Sequence, residues 1–218
     1  MTAFWTSHTP SAVRAWSSGA ATSRAGGSEA AISTVGSAVL SEMTALRTGN
    51  DEPQRAARPV ERDRAGSVMG EGGGVVVVEE LEHGKARGAK IWCELSGYGL
   101  SGDAYDMTAP PPDGEGAARA MQMALKHACL NPTDVDYVNA HATSTGLGDI
   151  CETNAIKTVF GDHAKNGLAI SSTKSITGHL LGGAGAVELR VCALAIRRGR
   201  SPPTNHLDKP APECHLDS

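Results

Sequence analysis

The sequence predicts an α/β fold, in which helices pack on a largely buried sheet. Four consecutive valines at 75–78 follow turn residues, and shorter β-favouring runs at 135–138 and 168–170 are succeeded by Ser, Thr, Gly and His. Segments with helical periodicity lie between these runs. Because strand and helix signals alternate along the chain, we expect α/β layers.

The first predicted elements are a helix and a long charged loop. Apolar residues recur at helical spacing over 30–46, and residues 50–66 contain proline and several arginines. A solvated loop is the expected state of these arginine side chains, and an acidic protein partner is the alternative. The arginines are Arg55, Arg58, Arg62 and Arg64.

A glycine-rich segment at 70–74 leads directly into the valine strand. Phosphate-binding loops follow a strand and open a helix, so this reversed order argues against nucleotide binding. Residues 79–88 then predict a helix that ends at a glycine C-cap, and residues 91–98 predict the next strand.

The rest of the chain alternates helices and strands. A helix with an apolar stripe around Met121 is expected over 113–130. The further predicted elements are a strand at 134–140, a helix at 149–160, a strand at 168–172 and a long Gly- and Ala-rich helix at 179–197.

Composition excludes several classes of function. The net charge of the 218 residues is −4, and no run of Lys or Arg marks a nucleic-acid surface. The five cysteines are irregularly spaced without a Cys-x-x-Cys pair, which indicates reduced thiols of an intracellular protein, neither a zinc knuckle nor a disulfide framework. No apolar run approaches the roughly 20 residues of a membrane helix, so we expect no membrane association.

The first 24 residues differ from the rest in composition. They are rich in Ser, Thr and Ala, and no acidic residue precedes Glu29. That composition fits an organelle transit peptide, and a non-native leader is the alternative.

Two polar blocks follow predicted strands and carry the candidate chemistry. The first is Tyr-Val-Asn-Ala-His-Ala-Thr-Ser-Thr at 137–145, and the second is Ser-Ser-Thr-Lys-Ser-Ile-Thr-Gly-His at 171–179. Ligand sites in α/β folds collect at the carboxyl ends of strands, so we expect the two blocks to converge. Two histidines and a lysine in such loops predict a site for carbonyl chemistry.

With these blocks in order, the chain closely resembles the β-ketoacyl-acyl-carrier-protein synthases, the elongating condensing enzymes of fatty-acid synthesis. The resemblance implies a thiolase-like fold of two related α/β halves stacked in five layers. It divides the chain into a leader at 1–25, the end of the first half at 26–88 and most of the second half at 89–218. We expect the nucleophilic cysteine segment and the closing Gly-Phe-Gly-Gly loop to be missing. Further supporting stretches lie at 25–32, 50–55, 68–72, 79–83 and 101–105.

The resemblance also implies roles for particular residues. His141 and His179 would donate to the thioester oxygen on which negative charge develops. Lys174 would support the histidines electrostatically and keep them neutral, and Glu188 would counter Lys174. Thr108, Thr143 and Thr145 would lie beside the phosphopantetheine arm of the substrate. Turn capping is the alternative role for the threonines.

Further implications concern partners and location. The acyl carrier protein would be the partner, the full-length family forms homodimers, and no metal or resident cofactor is expected. The implied reaction is a decarboxylative Claisen condensation with malonyl carrier protein. A catalytically inactive fragment or carrier-protein-binding remnant, at most a malonyl-thioester decarboxylase, is the alternative. The cytoplasm is the expected compartment, or a plastid or mitochondrion if residues 1–24 are a transit peptide.

Two residues depart from the family pattern, and one cysteine lies where a helix start could activate its thiol. Gly146 stands where the elongating enzymes usually have proline, which would loosen the loop. His206, usually asparagine, is expected in a turn. Cys151 lies at a predicted helix start, but Asp149 and Glu152 disfavour its thiolate, so we expect an inert packing thiol.

Overall fold

A computed structural model describes residues 3–5, 21–106 and 108–216. The strands are β1 (Ala3–Trp5), β2 (Thr22–Glu29), β3 (Gly72–Glu79), β4 (Tyr137–Asn139) and β5 (Ala169–Ser171). The α-helices are α1 (Thr34–Glu42), α2 (Leu81–Ala86), α3 (Glu115–Ala128), α4 (Gly146–Phe160), α5 (Lys174–Thr177) and α6 (Ala184–Arg198). Short 3-10 turns lie at Pro53–Arg55, Pro132–Asp134, Gly161–Ala164, Leu181–Gly183 and Pro212–Cys214.

Two sheets organise these elements. The strands β1, β4 and β5 form a parallel sheet in that order, with Val138 of β4 paired to Phe4 and to Ile170. The longer strands β2 and β3 form an antiparallel pair over eight residues each. Parallel pairing of β4 and β5 brings their carboxyl ends to the same edge of the sheet.

The main core packs helices α3 and α4 against the parallel sheet. Val138 and Leu168 are fully buried there, and Ile156 and Phe160 of α4 lie against them. Burial of apolar side chains of this size stabilises the fold by roughly 1.5–3 kcal/mol each. This core therefore holds β4 and β5, and with them the start of the loops that follow these strands, in fixed positions.

The alternation predicted for the chain is confirmed, although the bounds of most elements differ from those expected. Helix α1 begins only after Ser33, whose side chain caps it by accepting from Gly36 N. Helix α2 ends before Gly88, which has a positive φ of 70° as a C-cap glycine does. The predicted helix at 179–197 starts late, because residues 181–183 form a 3-10 turn before α6.

The predicted strand at 91–98 is wrong. This segment has no regular secondary structure and pairs with no strand of the described residues. It lies along α3, where a Cβ at Gly97 or Gly99 would collide with the carbonyl oxygens of Ala124 and Ala120. The two glycines allow the backbones to approach, and this packing replaces strand pairing.

Part of the segment interpreted as a leader lies inside the two sheets. Residues 3–5 form β1, and residues 22–25 belong to β2. Residues 1–2 and 6–20 lie outside the described residues, as do Met107 and residues 217–218.

Candidate active site

The two polar blocks meet, as the sequence predicts. His141 lies two residues beyond β4, and His179 lies two residues beyond α5, the short helix that follows β5. Their rings are perpendicular, with centroids 5.1 Å apart. The pair therefore forms one site.

The backbone of His179 is held by the segment before β3. His179 N donates to Val68 O at 2.7 Å, and Gly70 N donates to His179 O at 3.0 Å. A side chain at Gly70 would collide with Thr177 O, so glycine is required for this approach. Val68 and Gly70, more than 100 positions earlier in the sequence, thus fix the backbone of His179.

His141 is held from helix α4. The Glu152 carboxylate accepts from His141 N at 2.8 Å and from Ala142 N at 2.7 Å. Sequence reasoning considered Glu152 only as a charge beside Cys151 and missed this contact. No signal in the sequence distinguishes it from the other acidic residues of the helix.

Lys174 and Glu188 form a buried ion pair behind the histidines. Their side chains, from α5 and α6, are 3% and 4% exposed, and Lys174 Nζ donates to Glu188 Oε1. Polar groups continue beside them, since Tyr137 and Ser171 share a hydrogen bond of 2.9 Å between their hydroxyls. The structure therefore joins the two residues whose pairing the resemblance implies.

The environment of His179 favours the neutral imidazole. Burial and, to a smaller extent, the nearby Lys174 ammonium together lower the pKa of His179 to about 4. The direction agrees with the expected influence of the lysine, although burial is the larger cause. His179 Nδ1 is buried without a hydrogen-bond partner among the described residues. Such a nitrogen costs free energy unless a bound group pairs with it.

A cavity of about 900 Å³ opens beside the two histidines. His141, His179, Thr108, Thr143 and Thr145 all contribute to its lining, and most of the remaining wall is apolar. Lys174 and Glu188 do not line it and act on the site from behind. A neutral imidazole that borders an apolar cavity can donate a hydrogen bond to an oxygen that becomes negative.

The three candidate threonines come from two loops that line this cavity. The hydroxyls of Thr143 and Thr145 lie 3.4 Å apart in the loop after β4. Thr108 lies in a different loop, where Asp106 Oδ1 accepts from Thr108 N at 2.9 Å and from its hydroxyl at 3.4 Å. The turn-capping role therefore describes Asp106, and Thr108 is the capped residue.

Two of the four arginines predicted to be solvated are half-buried residues with largely covered side chains, so that expectation is wrong for them. The side chain of Arg64 is 6% exposed and that of Arg58 is 13% exposed, whereas Arg55 and Arg62 are 40% and 54% exposed. Arg64 lies 3.7 Å from the buried Asp149 carboxylate. Contacts with residues more than 80 positions away explain the burial.

The cysteines agree with the expectation that none is activated. Burial raises the pKa of Cys151, Cys93 and Cys214, and it raises the pKa of Cys192 to about 12. His206, expected in a turn, has a φ of 62° and its Nδ1 lies 3.2 Å from Ala57 O.

The described residues contain no group of three or more His, Cys, Asp or Glu that could hold a metal ion. In the part of the chain that the structure describes, none of the helices has the length and apolar character needed to cross a membrane.

Two protein-family models match the chain. They are the Beta-ketoacyl synthase, N-terminal domain, over residues 11–84, and the Beta-ketoacyl synthase, C-terminal domain, over residues 92–208. The 3-oxoacyl-[acyl-carrier-protein] synthase 2 of Synechocystis is 52% identical over 192 residues, covering 88% of this chain and 46% of that protein. The mitochondrial 3-oxoacyl-[acyl-carrier-protein] synthase of Arabidopsis thaliana is 55% identical over 190 residues, covering 86% of this chain and 41% of that protein.

Solved structures give the same result. A type II PKS acyl-carrier protein in complex with its ketosynthase matches with a TM-score of 0.91 at 40% identity, covering 94% of this chain and 51% of that one. A β-ketoacyl synthase from Burkholderia phymatum matches with a TM-score of 0.87 at 40% identity, covering 94% and 49%. These neighbours confirm the predicted thiolase-like α/β fold. The chain spans about half the length of the relatives it matches.

Proposed function

This chain belongs to the β-ketoacyl synthase family, and from that premise we propose that it carries the decarboxylating site of a 3-oxoacyl-[acyl-carrier-protein] synthase. The whole protein would join an acyl thioester to malonyl carrier protein in fatty-acid biosynthesis. The observation that carries the proposal is the meeting of His141 and His179 at 5.1 Å on one cavity wall, with the pKa of His179 lowered to about 4.

In the proposed decarboxylation, the thioester oxygen of the malonyl group lies between the two imidazoles. The bond between the malonyl methylene carbon and the carboxylate carbon breaks, and carbon dioxide leaves. The electron pair of that bond stays on the thioester fragment, which becomes an enolate. Hydrogen bonds from His141 and His179 stabilise the developing oxyanion, and one such donor accounts for roughly 10²–10³ in rate. A neutral His179 matters because an imidazolium would stabilise the departing carboxylate in the ground state.

The enolate carbon then has two fates. Attack on an acyl thioester forms the new carbon–carbon bond, expels a thiolate and gives the 3-oxoacyl product. Protonation gives acetyl carrier protein instead. The proposal assigns the acyl-carrying thiol to a group other than the five cysteines, because burial raises the pKa of four of them and none lies at an activating position.

The surrounding residues have supporting roles in this proposal. Thr108, Thr143 and Thr145 hydrogen-bond the amides of the phosphopantetheine arm, which enters through the cavity they line. The buried ion pair holds the Lys174 ammonium near His179, where its charge disfavours the imidazolium form. The substrates arrive as thioesters of an acyl carrier protein, and the chemistry uses no resident cofactor or metal.

Assembly and location complete the proposal. The structure of a related ketosynthase with its acyl-carrier protein supports that partner. We assign residues 26–88 to the first half of the family fold and 89–218 to the second, and we propose a homodimer for the whole protein. The compartment is the cytoplasm, or a plastid or mitochondrion if residues 1–24 are a transit peptide. The Arabidopsis thaliana relative is named as a mitochondrial enzyme.

Mass spectrometry tests the proposal directly. The purified chain is incubated with malonyl carrier protein, with and without an acyl carrier protein thioester, and all carrier-bound products are weighed. The expected product of this chain is acetyl carrier protein in both incubations, because none of its five cysteines carries the acyl group. A His206→Ala variant is the matched control, since this histidine does not line the cavity. Malonyl carrier protein that stays intact with folded protein would contradict the proposal.

A further inference from the structure

Four consecutive carbonyl groups of the loop after β4 accept hydrogen bonds from a single distant segment. The donors lie within residues 64–67, about 80 positions earlier in the chain. The bonds run from Ser67 Oγ to Thr143 O at 2.8 Å, Gly66 N to Ser144 O at 2.9 Å, Arg64 Nε to Thr145 O at 2.8 Å and an Arg64 guanidinium nitrogen to Gly146 O at 2.6 Å.

Arg64 provides two of these four bonds, and its side chain is 6% exposed. Its guanidinium also donates to Glu61 O at 3.0 Å and lies 3.7 Å from Asp149, which is itself 0% exposed. Removing a guanidinium from water is costly unless its donors are all paired. The planar fork of arginine suits two neighbouring carbonyls, a geometry that the point charge of lysine does not reproduce.

The loop held in this way is strained. Ser144 is buried and has a φ of 71°, a left-handed conformation that is uncommon for serine. Such strain persists only where the surroundings over-determine it, and it clusters at ligand sites. Ser144 separates Thr143 from Thr145, so its conformation sets the relative placement of these two residues, which both line the cavity.

The residue that follows offers little restraint of its own. Gly146 begins helix α4, and a Cβ built on it would touch nothing within 4 Å. A glycine at this position leaves the backbone free to leave the observed geometry. The bonds from Arg64 to Thr145 O and Gly146 O therefore add to the local restraint in which the Asp149 carboxylate accepts from Thr145 N at 3.2 Å.

We propose that Arg64 is a positioning residue that holds the loop at 143–146 in the conformation required to bind the pantetheine arm. This inference rests on the proposed function, because it takes the arm to lie beside Thr143 and Thr145. Arg64 touches no substrate and acts through the backbone of the loop.

Steady-state kinetics of carbon dioxide release from malonyl carrier protein tests this role. Arg64→Lys keeps the positive charge opposite Asp149 but cannot span both carbonyls. We expect KM to rise about tenfold with kcat within about twofold of the wild-type value, because the arm loses positioned hydrogen bonds and the histidines stay in place. Arg62→Ala, which removes an exposed arginine, is the matched control and leaves both constants unchanged.

A second pair of measurements separates positioning from a general loss of structure. Amide hydrogen exchange of residues 143–146 should be about tenfold faster in Arg64→Lys than in wild type, with the exchange of β4 unchanged. Adding Gly146→Pro should lower the KM of Arg64→Lys, because proline is favoured at the first helical position and restrains the loop.

The outcomes distinguish this inference from the proposed function. If the wild-type chain releases no carbon dioxide, the proposed function falls, and hydrogen exchange still decides whether Arg64 holds the loop. If the wild-type chain is active, an unchanged KM in Arg64→Lys overturns the inference. Exchange at 143–146 that is equal in the two proteins overturns it as well.

Discussion

Substitution of Glu188 by glutamine should destabilise the fold strongly. The side chains of Lys174 and Glu188 are 3% and 4% exposed, so the Glu188→Gln variant leaves a buried ammonium without its counter-charge. Breaking a buried pair by removing one partner costs about 3–5 kcal/mol. For a chain of this length, about 1 kcal/mol lowers Tm by roughly 2–4 °C, so the variant should melt about 6–20 °C lower.

The measurement is a double-mutant cycle followed by urea denaturation and thermal melting. The cycle compares Lys174→Met, Glu188→Leu and the double variant. Each single change leaves one buried charge unpaired, whereas the double variant removes both charges and keeps side-chain volume, so it should regain most of the lost free energy of unfolding. Glu115→Gln is the matched control. Its partner Arg119 lies 3.2 Å away in an exposed pair, which is worth at most about 1 kcal/mol.

Two results would refute the reasoning about this pair. The first is a Glu188→Gln variant that loses no more stability than Glu115→Gln. The second is a double variant whose loss equals the sum of the two single losses, since additivity would mean that the charges do not interact.

Three further predictions concern single sites. The unfolding free energy should fall as the pH drops from about 6.5 to about 4. In this range His179 is protonated in the unfolded chain, where its pKa is about 6.5, and stays neutral in the folded protein, where its pKa is about 4. Comparison with His179→Gln isolates this effect, since Asp149, whose pKa burial raises to about 6, acts oppositely in both proteins. Gly146→Pro should raise the unfolding free energy by about 0.4–1 kcal/mol in denaturant titrations, and a loss would show that the loop rejects proline. A thiol reagent at pH 8 should label exposed Cys129 first and Cys192 only on unfolding, and prompt labelling of Cys192 would contradict its burial.

Much of the fold was predictable because its signals are local. Four valines after turn glycines specify β3, and the turn chemistry around Gly88 ends α2 where expected. Residues 91–98 misled the prediction, since their apolar character fits a strand whereas Gly97 and Gly99 pack directly on α3. Which backbone a glycine approaches is a tertiary property that periodicity does not contain.

The candidate site was predictable in its histidines and unpredictable in its supports. The rule that sites lie at the carboxyl ends of parallel strands brings His141 and His179 together. The burial of Arg64 depends on carbonyl groups 81 and 82 positions away, and an arginine in a charged loop gives no local sign of such a partner. The role of Glu152 also has no sign in the sequence, because it depends on the backbone N–H groups of His141 and Ala142 that its carboxylate contacts in the folded protein.

The rate of carbon dioxide release from malonyl carrier protein in histidine variants tests the central claim most directly. The His141→Ala and His179→Ala variants should each lower this rate by about 10²–10³, because each removes one donor from the oxyanion. His206→Ala should release carbon dioxide at the wild-type rate, since it lies outside the cavity lining. Rates within about twofold of wild type in both cavity variants would contradict the claim that this histidine pair stabilises the enolate.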